Sequence, residues 1–391
     1  MSVVVVSCYN VASFPEGGGH FWVYLQYVEG LRRIGCEVYW LERFKRSRDP
    51  ARDARVMQQF FERMGRWGMG DRVLLYTQDE QPDGAAARIE FVGITREAAE
   101  AVLRRADLLL NFHYAIDPGL FACAKRTALV DIDPGLLQFW IATGQLQVPP
   151  HDVYLTIGET VGSPDAPFPD CGLTWTPIHP PVCLDLWPYR YDERAEAFTT
   201  VAGWWSGQWV RGTLNGTETF YENTKRVAFL DFVSLPGHTR QPLELALNMA
   251  AGDGDERALL ERQGWRVRPA REVAGSPEAY RGYVQQSRGE FSCAKPSCLR
   301  FQNAWISDRT LCYLASGKPA VVQHTGPSRF LPNGEGLFRF VTLEDAATAL
   351  DAINTDYEGH CRAAREIAES WFDARRVLER MLNAALAVGQ C

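Results

Sequence analysis

Nothing in the 391-residue sequence approaches the roughly 20 consecutive apolar residues that a membrane-crossing helix needs. The amino terminus lacks a basic region and a long apolar core. Its four valines therefore read as a first strand rather than a secretion signal, and a cytoplasmic location is expected. There is no excess of positive charge either. Lys and Arg total 41 against 48 Asp and Glu, a net charge of −7, which argues against a sequence-blind nucleic-acid binder. The ten cysteines include no C-x-x-C pair. Cys8, Cys36, Cys123, Cys293 and Cys312 sit in apolar segments and read as buried thiols rather than disulfides or metal ligands. A spaced G-x-G-x-x-G is missing, which disfavours dinucleotide binding. Asn215-Gly216-Thr217 is a glycosylation sequon in form, without weight in a chain that has no secretion signal. Internal repeats and low-complexity tracts are also absent.

What the sequence does carry is ordinary globular composition, 46% apolar and 23% charged. Its length exceeds what one hydrophobic core usually serves, so two domains are expected. Residues 3–7 read as a continuous apolar strand and 10–19 as a loop ending in three glycines. A helix follows over 20–34, with Trp22, Leu25, Val28, Leu31 and Ile34 at helical spacing, and then a strand over 36–41. Strand, glycine loop, helix, strand opens a doubly wound α/β domain. Helices are expected over 46–66 and 95–105, and strands over 73–76, 107–111, 128–131, 153–157 and 173–176. Ligands of such sheets bind beyond the carboxyl ends of the strands, where residues 17–20, His113 and Asp131 to Asp133 all fall. The Pro- and Trp-rich stretch 177–191 reads as a linker between domains. The second half reads as a strand at 198–202, a long loop over 203–223, a strand or helix start at 227–232 and a helix over 243–250. A strand at 265–267, a helix over 277–286, a strand over 289–294 and closing helices over 343–353 and 357–388 follow.

The stretch 307–326 organises the chain. Ser307 or Asp308 can cap a helix, because a short side-chain oxygen accepts the free N–H groups of the first turn. Leu311, Leu314 and Ala315 supply its apolar face, Gly317 the left-handed stop, and Pro319 keeps it from continuing. Residues 320–322 then read as a buried parallel strand. A helix start of this kind offers backbone N–H groups and a partial positive charge, which suits a diphosphate. Arg309 in the first turn has the wrong sign for the helix dipole, which points to an anion beside it.

The run Leu314-Ala315-Ser316-Gly317-Lys318-Pro319-Ala320-Val321-Val322 resembles a donor-domain signature, a helix ending in Ala-x-Gly-x-Pro-Val-Val. The signature belongs to glycosyltransferases with two facing Rossmann-like domains, the GT-B fold. The stretch 289–331 also resembles a group of bacterial members. The resemblance implies a nucleotide-sugar co-substrate, no further cofactor and no metal, the leaving diphosphate being neutralised by helix ends and cations. Many retaining members carry two glutamates here, at positions that fall near Ala304 and Cys312 in this chain. Either Asp308 takes the donor ribose instead, or the ribose is held differently.

His20 follows Gly18 and Gly19 at a helix start, where the dipole disfavours protonation. It is a candidate general base toward an acceptor hydroxyl, the alternative being a histidine that bonds its own backbone. Gly18 and Gly19 allow a ligand close to the backbone, or simply make a tight turn. The resemblance places a histidine near the donor sugar at the strand end occupied by His113; otherwise that ring is satisfied in the domain wall. Asp131 and Asp133 have the spacing of a metal motif, but Asp133-Pro134-Gly135 is ordinary turn chemistry. Asp133 alone remains a candidate acceptor-side base or sugar-hydroxyl ligand. Lys225, Lys295 and Arg309 are the candidate cations for a departing nucleotide, since charge grows on that group in the transition state. Removing Arg309 is expected to weaken diphosphate binding and leave the fold intact. Trp265 and Arg268 border the expected base pocket, the alternative for Trp265 being a place in the core.

The reading is an α/β protein of two Rossmann-like, doubly wound domains facing a central cleft. Residues 1–190 form the acceptor side and 191–372 the donor side, with 373–391 as a helix returning to the first domain. The expected activity is metal-independent transfer of a hexosyl or related sugar from a nucleotide-sugar to a small-molecule or carbohydrate acceptor. His20, His113 and Asp133 would be catalytic, and Gly18, Gly19, Lys225, Lys295, Ser307, Asp308 and Arg309 would bind donor. The alternatives are a nucleotide-sugar epimerase of the same fold and a non-catalytic scaffold that binds a nucleotide or a partner.

Overall fold

The computed structural model describes residues 1–79, 88–205, 209–214 and 216–387. The sequon residue Asn215 and the end of the last expected helix at Val388 lie outside them.

Two parallel sheets carry the molecule. The first has eight strands in the order Arg88–Val92, Val73–Asp79, Glu37–Arg43, Val3–Cys8, Leu108–Asn111, Thr127–Asp131, Val153–Thr156 and Trp175–Pro177. All pairs are parallel except the first, where Val73–Asp79 meets Arg88–Val92 antiparallel. The second has six parallel strands in the order Arg266–Pro269, Leu243–Asn248, Phe198–Gly203, Gly289–Ser292, Ala320–Gln323 and Leu337–Phe340. In each sheet the first strand along the chain lies inside the sheet and the later strands run off on both sides of it. That arrangement makes a topological switch point beside the first strand, where such sheets open a crevice.

The helix Gly18–Arg33 joins the two sheets. It buries Phe21, Trp22, Tyr24, Leu25, Tyr27, Val28 and Leu31, so apolar side chains project all round it. One apolar cluster runs from Val4 and Val6 through this helix to Tyr280, Val284, Leu311 and Leu314 of the second half. Each large side chain fully buried there contributes roughly 1.5–3 kcal/mol. Trp22 Nε1 donates to the Pro277 carbonyl at 2.8 Å across the junction. The helix Ala374–Leu386 returns to the first half and packs on Gly18–Arg33. Gly30 permits this, since a Cβ there would come within 2.3 Å of Leu378. The stretch 177–191 is pinned rather than loose: Trp187 is fully buried with its ring 4.8 Å from that of Trp22, and Val182 bonds to Phe372.

Two expectations fail for physical reasons. The helix expected over 243–250 is the strand Leu243–Asn248. Its helix-forming residues are overridden by burial between two parallel strands, where Leu243, Leu245 and Leu247 all enter one core. The long loop expected over 203–223 is largely a hairpin, Trp209–Leu214 against Thr217–Glu222. Alternating inner and outer side chains there, such as Val210 in and Arg211 out, give the period of two that its glycines and tryptophans obscured. Cys8, Cys293 and Cys312 are buried thiols as expected, whereas Cys36 and Cys123 are half-buried.

Candidate active site

A cavity of about 660 Å3 opens between the two sheets. Its walls are the carboxyl ends of strands from both halves. Val3–Cys8 delivers Asn10 and the glycine loop, and Thr127–Asp131 delivers Asp133 and Pro134. From the second sheet come Gly203, Asn248, Arg271 and Lys295, each at or just beyond the end of its own strand. Of the ten candidate residues, nine line this cavity: Gly18, Gly19, His20, Asp133, Lys225, Lys295, Ser307, Asp308 and Arg309.

The helix Asp308–Ala315 points its amino end into the cavity. Ser307 caps it, its Oγ accepting from Arg309 N at 3.3 Å, and Gly317 ends it at φ +68°. The anion called for beside Arg309 is part of the protein. Arg309 Nε donates to Glu290 Oε1 at 2.7 Å, Nη1 to the Val201 carbonyl at 2.9 Å, and Nη2 to Ser292 Oγ. Burial alone would lower the guanidinium pKa, yet Glu290 holds it above the usual arginine range. Arg309 is therefore a spent cation that joins two strands to the helix start. The buried pair argues against the expectation that it can be removed with the fold intact, because Glu290 is wholly buried and would lose its counter-charge.

Lys225 differs. It begins the helix Lys225–Asp231, is largely buried, and places Nζ 5.8 Å from the centre of the Trp305 ring. Burial, then repulsion from Arg309 and Lys295, push its pKa down to about 7. A lysine so destabilised in its charged form gains most from an incoming anion. Asp308 responds oppositely. Burial raises its pKa, while Arg309, Lys225 and His20 oppose the rise, so these four groups share one electrostatic neighbourhood across the cleft.

His20 lies in the first turn of Gly18–Arg33 with Nε2 2.8 Å from the Tyr9 carbonyl. A carbonyl can only accept, so Nε2 carries the proton and Nδ1 keeps a lone pair. Burial is the main cause of its lowered pKa, against the bond to Tyr9 and the charge of Asp308, which raise it. Asp133 is positioned by Asp131. The Asp131 carboxylate is fully buried and accepts from Gln138 Nε2 at 2.9 Å, Thr156 Oγ1 at 2.8 Å and Asp133 N at 3.0 Å. Burial pushes its pKa up to about 7. It is a strut of the loop and turns away from the cavity that Asp133 lines.

Two sequence expectations are corrected, the placing of His113 and the base pocket of Trp265 and Arg268. His113 is not brought to the cavity. Its ring is buried against Tyr9, with centroids 5.2 Å apart, and burial pushes its pKa down to about 4. Gly18 and Gly19 line the cavity, while the side of each that a Cβ would occupy faces protein. A Cβ on Gly18 would fall 2.2 Å from the Ser276 carbonyl, and one on Gly19 2.8 Å from the Tyr280 ring, so these glycines seat the two halves against each other. Trp265 is a core residue that donates to the Val233 carbonyl at 2.7 Å, and neither it nor Arg268 lines the cavity. Sequence reading missed Asn248, Arg271, Trp305 and Tyr280 on the cavity wall. Asn248 had a signal, the end of a strand, which was hidden once 243–250 was read as a helix. Glu290 had one too, as the charged residue of the buried strand Gly289–Ser292.

No family model matches the chain, and no curated protein matches it in sequence. Solved structures do match in shape. Anabaena HepE in complex with UDP and glucose aligns with a TM-score of 0.58 at 12% identity, over 99% of this chain and 100% of that one. An alpha-glucosyltransferase in complex with UDP and a 13-mer DNA aligns at 0.57 and 10% identity, over 98% of this chain and 99% of that one. AviGT4, a glycosyltransferase involved in avilamycin A biosynthesis, aligns at 0.54 and 14% identity, over 100% of this chain and 99% of that one. Identities this low speak to fold alone, and the fold is shown: the chain has the GT-B architecture of glycosyltransferases, two Rossmann-like domains facing a cleft.

Proposed function

We propose that the chain transfers a sugar from a nucleoside-diphosphate sugar to an acceptor hydroxyl without a metal. One observation carries the reading: a single cavity unites a capped helix start, the under-neutralised Lys225 and Lys295 on one wall with a histidine whose protonation is disfavoured and the side chain of Asp133 on the other. The diphosphate lies against the amino end of Asp308–Ala315 with Lys225 and Lys295, and Asp308 is the acidic group at hand for the ribose. Fixed positive groups there favour the charge that builds on the leaving diphosphate as its bond to the anomeric carbon breaks. The acceptor lies toward Asp133, and His20 Nδ1 takes the proton of its hydroxyl. The UDP and UDP-glucose found in the structural neighbours make these the first probes. One neighbour holds DNA, but the net charge of −7 favours an acceptor that is not a polyanion.

The test is a thermal-shift series with UDP and UDP-glucose, with and without EDTA, followed by an assay for released UDP. A ligand that binds the folded state raises the midpoint by mass action. A shift that survives chelation, with UDP released when acceptor is present, is expected. Loss of the shift on chelation refutes the metal-free account. Turnover of the donor sugar without an acceptor would indicate an epimerase, and binding without turnover a scaffold.

A further inference from the structure

The hairpin Trp209–Leu214 with Thr217–Glu222 pairs with neither large sheet. Its inner face is anchored on the first half: Val210, Leu214 and Tyr221 pack with Leu136 and Phe139. Gly212 lies so close that a Cβ would come 3.0 Å from Phe139 and 3.1 Å from Gln145, and Gln145 Nε2 donates to the Arg211 carbonyl at 2.9 Å. Among the described residues, the hairpin's outer face carries the one stacked aromatic pair in which both rings are more than half exposed. Trp209 is 56% and Phe220 67% exposed, and their rings stack 4.9 Å apart at 17°. The nearby Trp205 is also exposed but already engaged, donating to Asp253 Oδ1 at 2.9 Å beneath the Arg226 guanidinium. Beside Phe220 a groove of about 440 Å3 is lined by Arg211, Thr213, Glu218 and Thr219 of the hairpin and by Thr143 and Gln145 of the first half.

We infer that this surface is a saccharide subsite and that the acceptor is a short neutral oligosaccharide. The outward ring face of a stacked, exposed pair matches the C–H face of a pyranose ring, and the hydroxyls at the sugar's edge need the donors and acceptors that Arg211, Glu218, Thr213, Thr219 and the Gln145 side-chain carbonyl oxygen supply. One cation and one carboxylate in the groove suit a neutral ligand better than a phosphate or a nucleic acid. The location fits an extended acceptor. Asp133 and Pro134 line the main cavity, Thr143 and Gln145 line the groove, and the helix Leu136–Ala142 runs between them, spanning roughly 10 Å at 1.5 Å per residue. An acceptor held at the hairpin can thus present its terminal hydroxyl near Asp133. The identification as acceptor rests on the transferase reading; the identification as a saccharide site does not.

The test presents the full chain to an array of short neutral oligosaccharides, with Trp209→Ala/Phe220→Ala and Arg211→Ala/Glu218→Gln alongside. The expected result is binding of a defined oligosaccharide that both double variants weaken by about tenfold or more, with the UDP thermal shift unchanged. The second variant leaves the stacked pair in place, so a hairpin that fails without its aromatic rings does not decide the outcome. Absence of oligosaccharide binding, or binding that both variants keep, overturns the site. Binding of a single-stranded 13-mer DNA in its place, lost in the aromatic variant, overturns it in favour of a nucleic-acid acceptor. A dimer that dissociates in the aromatic variant, without saccharide binding, overturns it in favour of self-association. Oligosaccharide binding without a shift by UDP or any other nucleoside diphosphate keeps the subsite and refutes the transferase.

Discussion

The two walls of the cavity are built alike and behave differently. Each is the switch-point end of a parallel sheet followed by a helix start. On the second wall the positive charges are graded: Arg309 is neutralised by Glu290, whereas Lys225 is held short of a counter-charge and its pKa falls. On the first wall the groups are a histidine whose protonation burial suppresses and the carboxylate of Asp133. The lesson is that a cation's presence in a site says little until its partners are known. Arg309 looked the better phosphate ligand by sequence; its pairing with Glu290 makes Lys225 the stronger candidate, because an under-neutralised cation is worth more to a ligand than a satisfied one.

The comparison breaks most sharply at His20. His20→Ala should lower donor turnover by about 10²- to 10⁴-fold with UDP affinity retained, the loss typical of a general base. Turnover that survives would leave the first wall without its proton acceptor. Next is Arg309→Ala, expected to cost roughly 3–5 kcal/mol in denaturant unfolding because Glu290 is stranded. If the variant is as stable as the parent and merely binds UDP less well, Arg309 is a ligand after all. Third is Lys225→Ala, which should weaken UDP binding by about ten- to a hundredfold, the worth of a charge-assisted hydrogen bond.

The sign of its pH dependence follows from the shift. With a free-state pKa of about 7 against an ordinary 10.5, Lys225 is increasingly neutral above neutral pH. A bound diphosphate raises that pKa, so binding takes up a proton and affinity falls as pH rises, by at most about tenfold per unit. Calorimetry between about pH 7 and pH 9 should show this slope in the parent and a flat profile in Lys225→Ala. The smallest effect is expected at His113. His113→Gln should change UDP affinity and turnover by no more than about twofold, since the ring does not line the cavity.

Much of this was legible in the sequence where local chemistry and long-range packing agree. The Ser307 cap, the Gly317 stop and the strand after Pro319 form as the residues dictate, and helix Pro277–Gln286 matches its expected limits. Legibility fails where a distant partner decides. Nothing local to Arg309 reveals that Glu290, nineteen positions earlier, takes its charge. Nothing in the glycine loop reveals that Ser276 and Tyr280 fill the space beside Gly18 and Gly19. The residues 243–248 have helix-forming side chains, and only their place between two strands makes them a strand. His113 was placed correctly at a strand end, but the Tyr9 ring that covers it could not be read.

The central claim is that the amino end of Asp308–Ala315 and Lys225 together hold a nucleoside diphosphate. A crystal structure of the chain soaked with UDP tests it directly. Phosphate oxygens should lie within hydrogen-bond distance of the first-turn backbone amides and of Lys225 Nζ. A diphosphate seated anywhere else, with that helix start facing only protein or solvent, would contradict it.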